Sequence, residues 1–433
     1  MKFWKYSRVA LALIGSVALG LSITCCGVYT SGYMYVTGVQ YSQIGAYKID
    51  HDFGYLTPVT GSPFASAGAN PVQEVVIPGG RFLAVVYKGA SQTPGSGGVS
   101  IYTIGGAGVL AFQENYSSSG INPVSIALAP SGTYLYVLDQ LAPDGSGKGD
   151  ITVFQFATDT GKLTLITNAN TFNTNGSQLP YFEVDYNPVQ IVTLGQYIYA
   201  LDQAYNPTSS KTAGNIPPAC ANAPVGSPCA TPDVFLYAIA NSTGQLTLTQ
   251  NQPLVLGGVL PGAASTMAVS GTQKYVYIAD TALGANPGRI LPFQQGVGGV
   301  LETLVGGPTN NIQNGAFPDA ILANSNGTFL YVANFGPSVI TQPNSIITAY
   351  TIDPTNGQLQ TLSTGFYPVG GAGPIWMVED PTDQYLYSVN YNTNNISGKI
   401  IDQTTGQLSN MFKGTTFATV GQPTFVAVTS RVY

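Results

Sequence analysis

Short runs of alternating aromatic and aliphatic residues recur along the chain, beginning at Tyr33, Phe82, Tyr134, Tyr197, Tyr275, Phe329 and Tyr385. Tyr134-Leu135-Tyr136-Val137 shows the pattern well. A period of two carried by Tyr and β-branched or aliphatic side chains predicts half-buried β-strands. Nine to eleven residues upstream a more continuous apolar stretch opens, usually on a proline: Pro71, Pro123, Pro188, Pro318 and Pro374, with Ala264 in the sixth place. Proline suits the first residue of a strand, where no ladder donor is needed. A third signal is a glycine two residues before a leucine: Gly54, Gly108, Gly161, Gly244, Gly299, Gly357 and Gly406. Between the last two signals lies another strand, such as Ile151 to Phe156 or Val234 to Ile239.

Each unit is therefore four antiparallel strands, repeating at about 50 to 60 residues, the signature of a propeller blade. The segment Pro423 to Tyr433 has the innermost-strand pattern but is followed by no second strand. The missing strands stand near the other end, at Tyr33 to Val36 and Ile44 to Ile49, before the turn at Gly54. The expectation is an all-β, seven-bladed β-propeller, one domain over residues 27–433, closed by a blade shared between the N- and C-terminal segments. A shared blade removes the open edges that invite aggregation. Two insertions between second and third strands interrupt the repeat: about 204–232 in blade 3 and Ala142 to Asp150 in blade 2.

Composition narrows the function. Only 8% of residues are charged, against about a quarter in ordinary domains, so Ser, Thr, Asn, Gln and Tyr must wet the surface. Net charge is −6 and the 14 basic residues form no run, which argues against nucleic-acid binding. The single histidine, His51, removes most histidine-based metal sites and catalytic dyads. No cofactor or metal is expected, and the ring is expected to act as a monomer.

Residues 1–26 read as an export signal. Lys2, Lys5 and Arg8 precede 13 apolar residues from Val9 to Leu21, short for a membrane span and suited to a signal-peptide core. Cys25-Cys26-Gly27 follows where a lipoprotein would be cleaved, with Cys26, or alternatively Cys25, as the lipidated residue. The expected location is periplasmic or cell-surface, held to the membrane by lipid; plain secretion is the alternative. Cys220 and Cys229 share a Pro- and Gly-rich loop, where export favours a disulfide, and no further His or Cys stands nearby to complete a metal site.

Two sets of acids are candidates for chemistry. Glu74 is the one polar member of a column otherwise made of Ile126, Ile191, Met267, Ile321, Met377 and Val426. A carboxylate among apolar neighbours has a raised pKa and can serve as a general base, or it can be a bonded structural group. Asp139, Asp202 and Asp280 share another column, continued by Asn334 and Asn390. Such carboxylates can hold a hard cation, or simply end a strand by capping the next turn. The loop Asp144 to Asp150 has some features of a calcium loop, but Lys148 stands where an oxygen ligand belongs.

The stretch Pro123-Val124-Ser125-Ile126-Ala127-Leu128-Ala129-Pro130-Ser131-Gly132-Thr133-Tyr134-Leu135-Tyr136-Val137 resembles the blades of the lactonase-type seven-bladed propellers. That group includes 6-phosphogluconolactonases, muconate-cyclising enzymes and surface-layer repeat proteins, and the resemblance extends from Tyr33 onward. It implies that blades open with Pro-Arg-His and end their second strand with Asn-Glu, so that charges ring a central channel. Here the arginine column reads Val72, Val124, Val189, Ser265, Asp319, Ile375 and Thr424. The histidine column reads Gln73, Ser125, Gln190, Thr266, Ala320, Trp376 and Phe425. The glutamate column reads Lys88, Gln140, Gln203, Thr281, Phe335, Tyr391 and Val39. Gln73, Ser125, Gln190, Thr266, Asp319, Trp376 and Phe425 are thus the expected channel-lining set.

Two functions remain open. One is an exported lactonase-like module that binds a small molecule, glycan or protein at the channel face. The other is a lactone hydrolase similar to 6-phosphogluconolactonase, which would need a base for water and donors for the developing oxyanion.

Overall fold

The alternating runs and the apolar runs upstream of them pair as antiparallel strands in all seven blades. The structure is a computed structural model that describes residues 29–203, 232–249, 254–256, 263–281, 288–304, 306–307, 317–335, 345–412 and 414–430. The export segment with Cys25 and Cys26, nearly all of the 204–232 insertion, and Cys220 and Cys229 lie outside the described residues.

Blade 1 begins with Pro71–Val76, blade 2 with Ile121–Leu128, blade 3 with Pro188–Leu194 and blade 4 with Ala263–Val269. Blades 5 and 6 begin with Pro318–Ala323 and Pro374–Glu379. In blade 2 the strand opens two residues before Pro123, which sits inside it opposite Asp139. Blade 7 is the shared one. Its innermost strand, Pro423–Ser430, pairs with Thr30–Gly38, which pairs with Gln43–Asp50 and then Leu56–Pro58. Thr37 stands opposite Phe425 and Tyr33 opposite Thr429, so the two terminal segments are locked in one register.

The hydrophobic core is divided among the seams between blades. Seven clusters of buried residues each draw on two neighbouring blades. The seam from blade 7 to blade 1 joins Tyr33, Tyr35 and Ile44 to Leu83, Val85 and Tyr102. The repeated glycine and the repeated aromatic are two halves of one seam contact. Gly108 lies against the ring of Tyr33 and Gly406 against Phe329; a Cβ on either would fall 2.3 Å from a ring carbon. Both glycines also have positive φ, +79° and +73°, which L side chains rarely adopt. The second aromatic of the run then donates to the same turn: Tyr35 Oη to Gly108 O at 3.0 Å, Tyr331 Oη to Gly406 O at 3.1 Å and Tyr387 Oη to Gly54 O at 2.6 Å.

One feature breaks the two-residue period in every blade. In blade 1, Pro71 pairs with Tyr87 and Gln73 with Val86, so Val72 is an extra, bulged residue. The same skip falls on Val124, Val189, Ser265, Asp319, Ile375 and Thr424. A β-bulge re-aims side chains by adding one residue to a strand. Here it lets two consecutive residues of the innermost strand face the centre of the ring in six blades; in blade 5 only Asp319 does, and Ala320 is buried in the seam core.

Candidate functional site

The two columns meet around a central cavity of about 250 Å³. Gln73, Ser125, Gln190, Thr266, Asp319, Trp376 and Phe425 all line it, together with Val72, Val124, Val189, Ser265, Ile375 and Thr424. A second space of about 400 Å³ adjoins it and shares Val72, Val124, Ile375 and Thr424. Its other walls are Lys88, Phe335 and Tyr391, at the ends of second strands. The described channel therefore has a mouth with one lysine and two aromatics, a largely aliphatic waist, and an inner chamber with polar and aromatic walls.

Most polar groups of the inner chamber are committed to joining blades. Gln73 Oε1 accepts from the Ile126 amide at 3.0 Å, and its Nε2 donates to Ile126 O at 3.4 Å. Gln190 repeats this one blade pair later, accepting from the Met267 amide at 2.6 Å and donating to Met267 O at 3.1 Å. The Thr266 hydroxyl also donates to Gln190 Oε1, at 3.0 Å. Ser125 Oγ accepts from the Ile191 amide at 3.2 Å. Ser265 donates to Pro318 O at 2.8 Å and Thr424 to Pro71 O at 3.1 Å. These bonds cross five of the seven seams. The seam from blade 6 to blade 7 is closed instead by Trp376 and Phe425, whose ring centroids lie 4.2 Å apart.

Asp319, beside the remaining seam, is different. It is the only charged residue lining the inner chamber and has no hydrogen bond among the described residues. Burial pushes its pKa up to about 6, because no nearby donor or cation offsets the cost of charging it.

Glu74 is buried in the seam between blades 7 and 1 and does not line the cavity. Thr37 Oγ1 donates to its Oε2 at 2.6 Å, and Thr37 Oγ1 lies 2.9 Å from the hydroxyl of Thr424, which does line the cavity. Burial raises the Glu74 pKa from 4.5 to about 8, outweighing the Thr37 hydroxyl and the Thr37 and Ala427 backbone, which pull it down. Two hydroxyls thus separate this carboxyl from the chamber.

Asp139, Asp202 and Asp280 are spread over three blades, each facing the start of its own third strand. Asp139 stands opposite Asp150, Asp202 opposite Asp233, and Asp280 opposite Arg289. Asp280 is held by Arg289 at 2.7 Å. Asp139 accepts from Ser118 at 2.7 Å and Thr152 at 3.1 Å, and burial raises it to about 7. Among the described residues no group of three His, Cys, Asp or Glu side chains is placed to hold a metal ion. His51 is exposed on a turn of blade 7, bonded to Asp52 at 3.0 Å.

The bulge is the element that sequence reasoning missed. No residue type marks it, since Val, Ser, Asp, Ile and Thr all occupy it. The proline just before it is its one trace, present in six blades.

Comparison with known proteins agrees with this architecture. No curated protein sequence matches the chain. Among solved structures, a candidate 6-phosphogluconolactonase of Bacteroides uniformis superposes with a TM-score of 0.67 at 16% identity, over 93% of this chain and 100% of the other. The periplasmic gluconolactonase PpgL of Pseudomonas aeruginosa gives 0.65 at 18% identity, over 92% and 99%. A protein from Lactobacillus plantarum gives 0.63 at 18% identity, over 93% and 100%. At these identities the likeness establishes the fold. The sequence model described as "Lactonase, 7-bladed beta-propeller" matches residues 28–179 and 299–428, leaving blade 3 and all but the outermost strand of blade 4 unmatched though they are built on the same plan. The chain belongs to the lactonase seven-bladed β-propeller family.

Proposed function

We propose that this lactonase-like propeller is a binding module whose central channel takes a ligand without transforming it. One observation carries the reading: the polar side chains of the inner chamber are spent on joining blades, and a single carboxylate is left over. Hydrolysis of a lactone requires a base aimed at water and donors or a cation aimed at the oxyanion. A phosphorylated sugar also calls for Arg or Lys to grip its phosphate. Lys88 is the one cation among the described residues that line the two spaces, and it stands at the mouth, across the aliphatic waist from Asp319. The export pattern of residues 1–27 supports a ligand met outside the cytoplasm, with the protein lipid-anchored through Cys26 or secreted.

The second reading, a lactone hydrolase, draws on family membership and on Glu74, whose raised pKa and hydroxyl link to Thr424 are features of a base. A screen of purified protein against sugar lactones, followed by acid release, separates the two. The binding reading expects hydrolysis at the spontaneous rate throughout. A rate that scales with protein concentration would overturn it.

A further inference from the structure

We infer that the inner chamber binds a small organic cation, an alkyl- or quaternary ammonium group, between the carboxylate of Asp319 and the rings of Trp376 and Phe425. This deepens the binding reading and rests on it. Three independent features converge. Asp319 is the only charged side chain among the described residues that line the chamber, and it lacks the seam bond that its column-mates Ser265 and Thr424 make. Trp376 stands on the neighbouring blade, packed at a tilt of 33° against Phe425, and both rings are only partly buried and line the same chamber. On blades 1 to 3 the wall is Val72, Val124 and Val189 together with Gln73, Ser125 and Gln190, whose polar atoms are bonded across the seams, so it places no cation against Asp319.

The chemistry of each part selects the ligand. A carboxylate pushed up to about 6 by burial is an anion without compensation, and a bound cation supplies what the protein withholds. The π faces of Trp and Phe attract cations by their quadrupoles, and methylated ammonium groups suit them because they are weakly hydrated. An anion would meet Asp319 with no cation in the chamber to offset it. A neutral sugar would need hydrogen-bond donors and acceptors, and those of Gln73, Gln190 and Thr266 are already engaged. The volume of about 250 Å³ is just under the roughly 300–1,000 Å³ of drug-sized sites. A ligand of few heavy atoms fits.

The test is calorimetric titration of the purified protein with choline, with its neutral isostere 3,3-dimethylbutan-1-ol, and with gluconate. Choline should bind saturably, with the isostere and gluconate weaker by about tenfold or more. Asp319→Asn should weaken choline by about ten- to a hundredfold, the loss of one partly desolvated charge–charge contact, at a melting temperature equal to or above that of the unchanged protein. Trp376→Leu should weaken choline more than it weakens the isostere. Absence of choline binding, equal binding of choline and isostere, or full affinity in Asp319→Asn would each overturn the inference. The comparison of choline with its isostere needs no variant, so it holds even if a substitution harms folding. Saturable binding of gluconate or the isostere without choline would sink the cation site and leave the binding reading intact; catalysed lactone hydrolysis would sink the binding reading itself.

Discussion

Replacing Glu74 with Gln isolates a carboxyl buried where the ring closes. Glu74 sits between the shared blade and blade 1 and is 1% exposed, with its Oε2 bonded to Thr37. Its pKa rises on folding from 4.5 to about 8. A group whose folded pKa lies above its unfolded value contributes stability that is whole below the unfolded pKa and disappears as pH climbs through the folded one. For Glu74 that window runs from about pH 4.5 to about pH 8. At about 1.4 kcal/mol per pH unit, the interval of roughly 3.5 units sets a ceiling of about 5 kcal/mol, and relaxation of the seam reduces it. A glutamine side chain keeps the shape and an acceptor for Thr37 but cannot ionise. Urea unfolding of both proteins between pH 5 and pH 9 measures the effect. The two should agree within about 1 kcal/mol at pH 5, and the variant should be the more stable by about 2 to 4 kcal/mol at pH 9. The other raised acids, Asp139, Asp150, Asp202, Asp233, Asp280, Asp319 and Glu379, titrate in both proteins and cancel in the difference. Parallel pH profiles would refute the argument that burial governs this carboxyl.

Three further outcomes follow from the seams. Gln190→Leu strips the partners from the amide and carbonyl of Met267 and should cost about 2 to 4 kcal/mol in denaturant unfolding, with Gln73→Leu somewhat less because its second bond is longer. Gly406→Ala drives a Cβ into Phe329 at positive φ and should cost about 2 to 4 kcal/mol, whereas Gly145→Ala, with open space around it, should cost only about 1 kcal/mol of backbone strain. Ending the chain after Gln422 removes the innermost strand of blade 7; cooperative thermal unfolding at the full-length temperature would show that the pairing of Thr30–Gly38 with Pro423–Ser430 does not hold the ring.

The blade count and the shared blade were legible because they rest on short-range rules. Alternation marks the strands, and the glycine and aromatic that mark the repeat prove to be partners across a seam, Gly108 on Tyr33 and Gly406 on Phe329. The channel-lining residues were reachable only through family resemblance. Strict alternation would turn Val72 and Gln73 to opposite faces, and it is the bulge at Val72 that brings both inward. Side-chain commitments were not legible at all. Gln73 and Asp319 look equally available in the sequence, yet Gln73 is bonded twice to Ile126 while Asp319 has no hydrogen-bond partner among the described residues. That difference depends on which backbone groups of the next blade come within reach. Glu74 likewise reads as an odd acid in an apolar column, but its position behind Thr37 and Thr424 follows from how blades 7 and 1 pack.

The claim that the channel binds without catalysing is tested most directly by a single-turnover experiment. Purified protein is held in excess over glucono-δ-lactone or 6-phosphogluconolactone, and disappearance of the lactone is followed by proton release. Excess protein makes even one turnover per chain visible. The account predicts decay at the rate of buffer alone, unchanged in Glu74→Gln and Asp319→Asn. Decay that quickens in proportion to protein, and returns to the buffer rate in either variant, would contradict it and make that carboxyl the catalytic base.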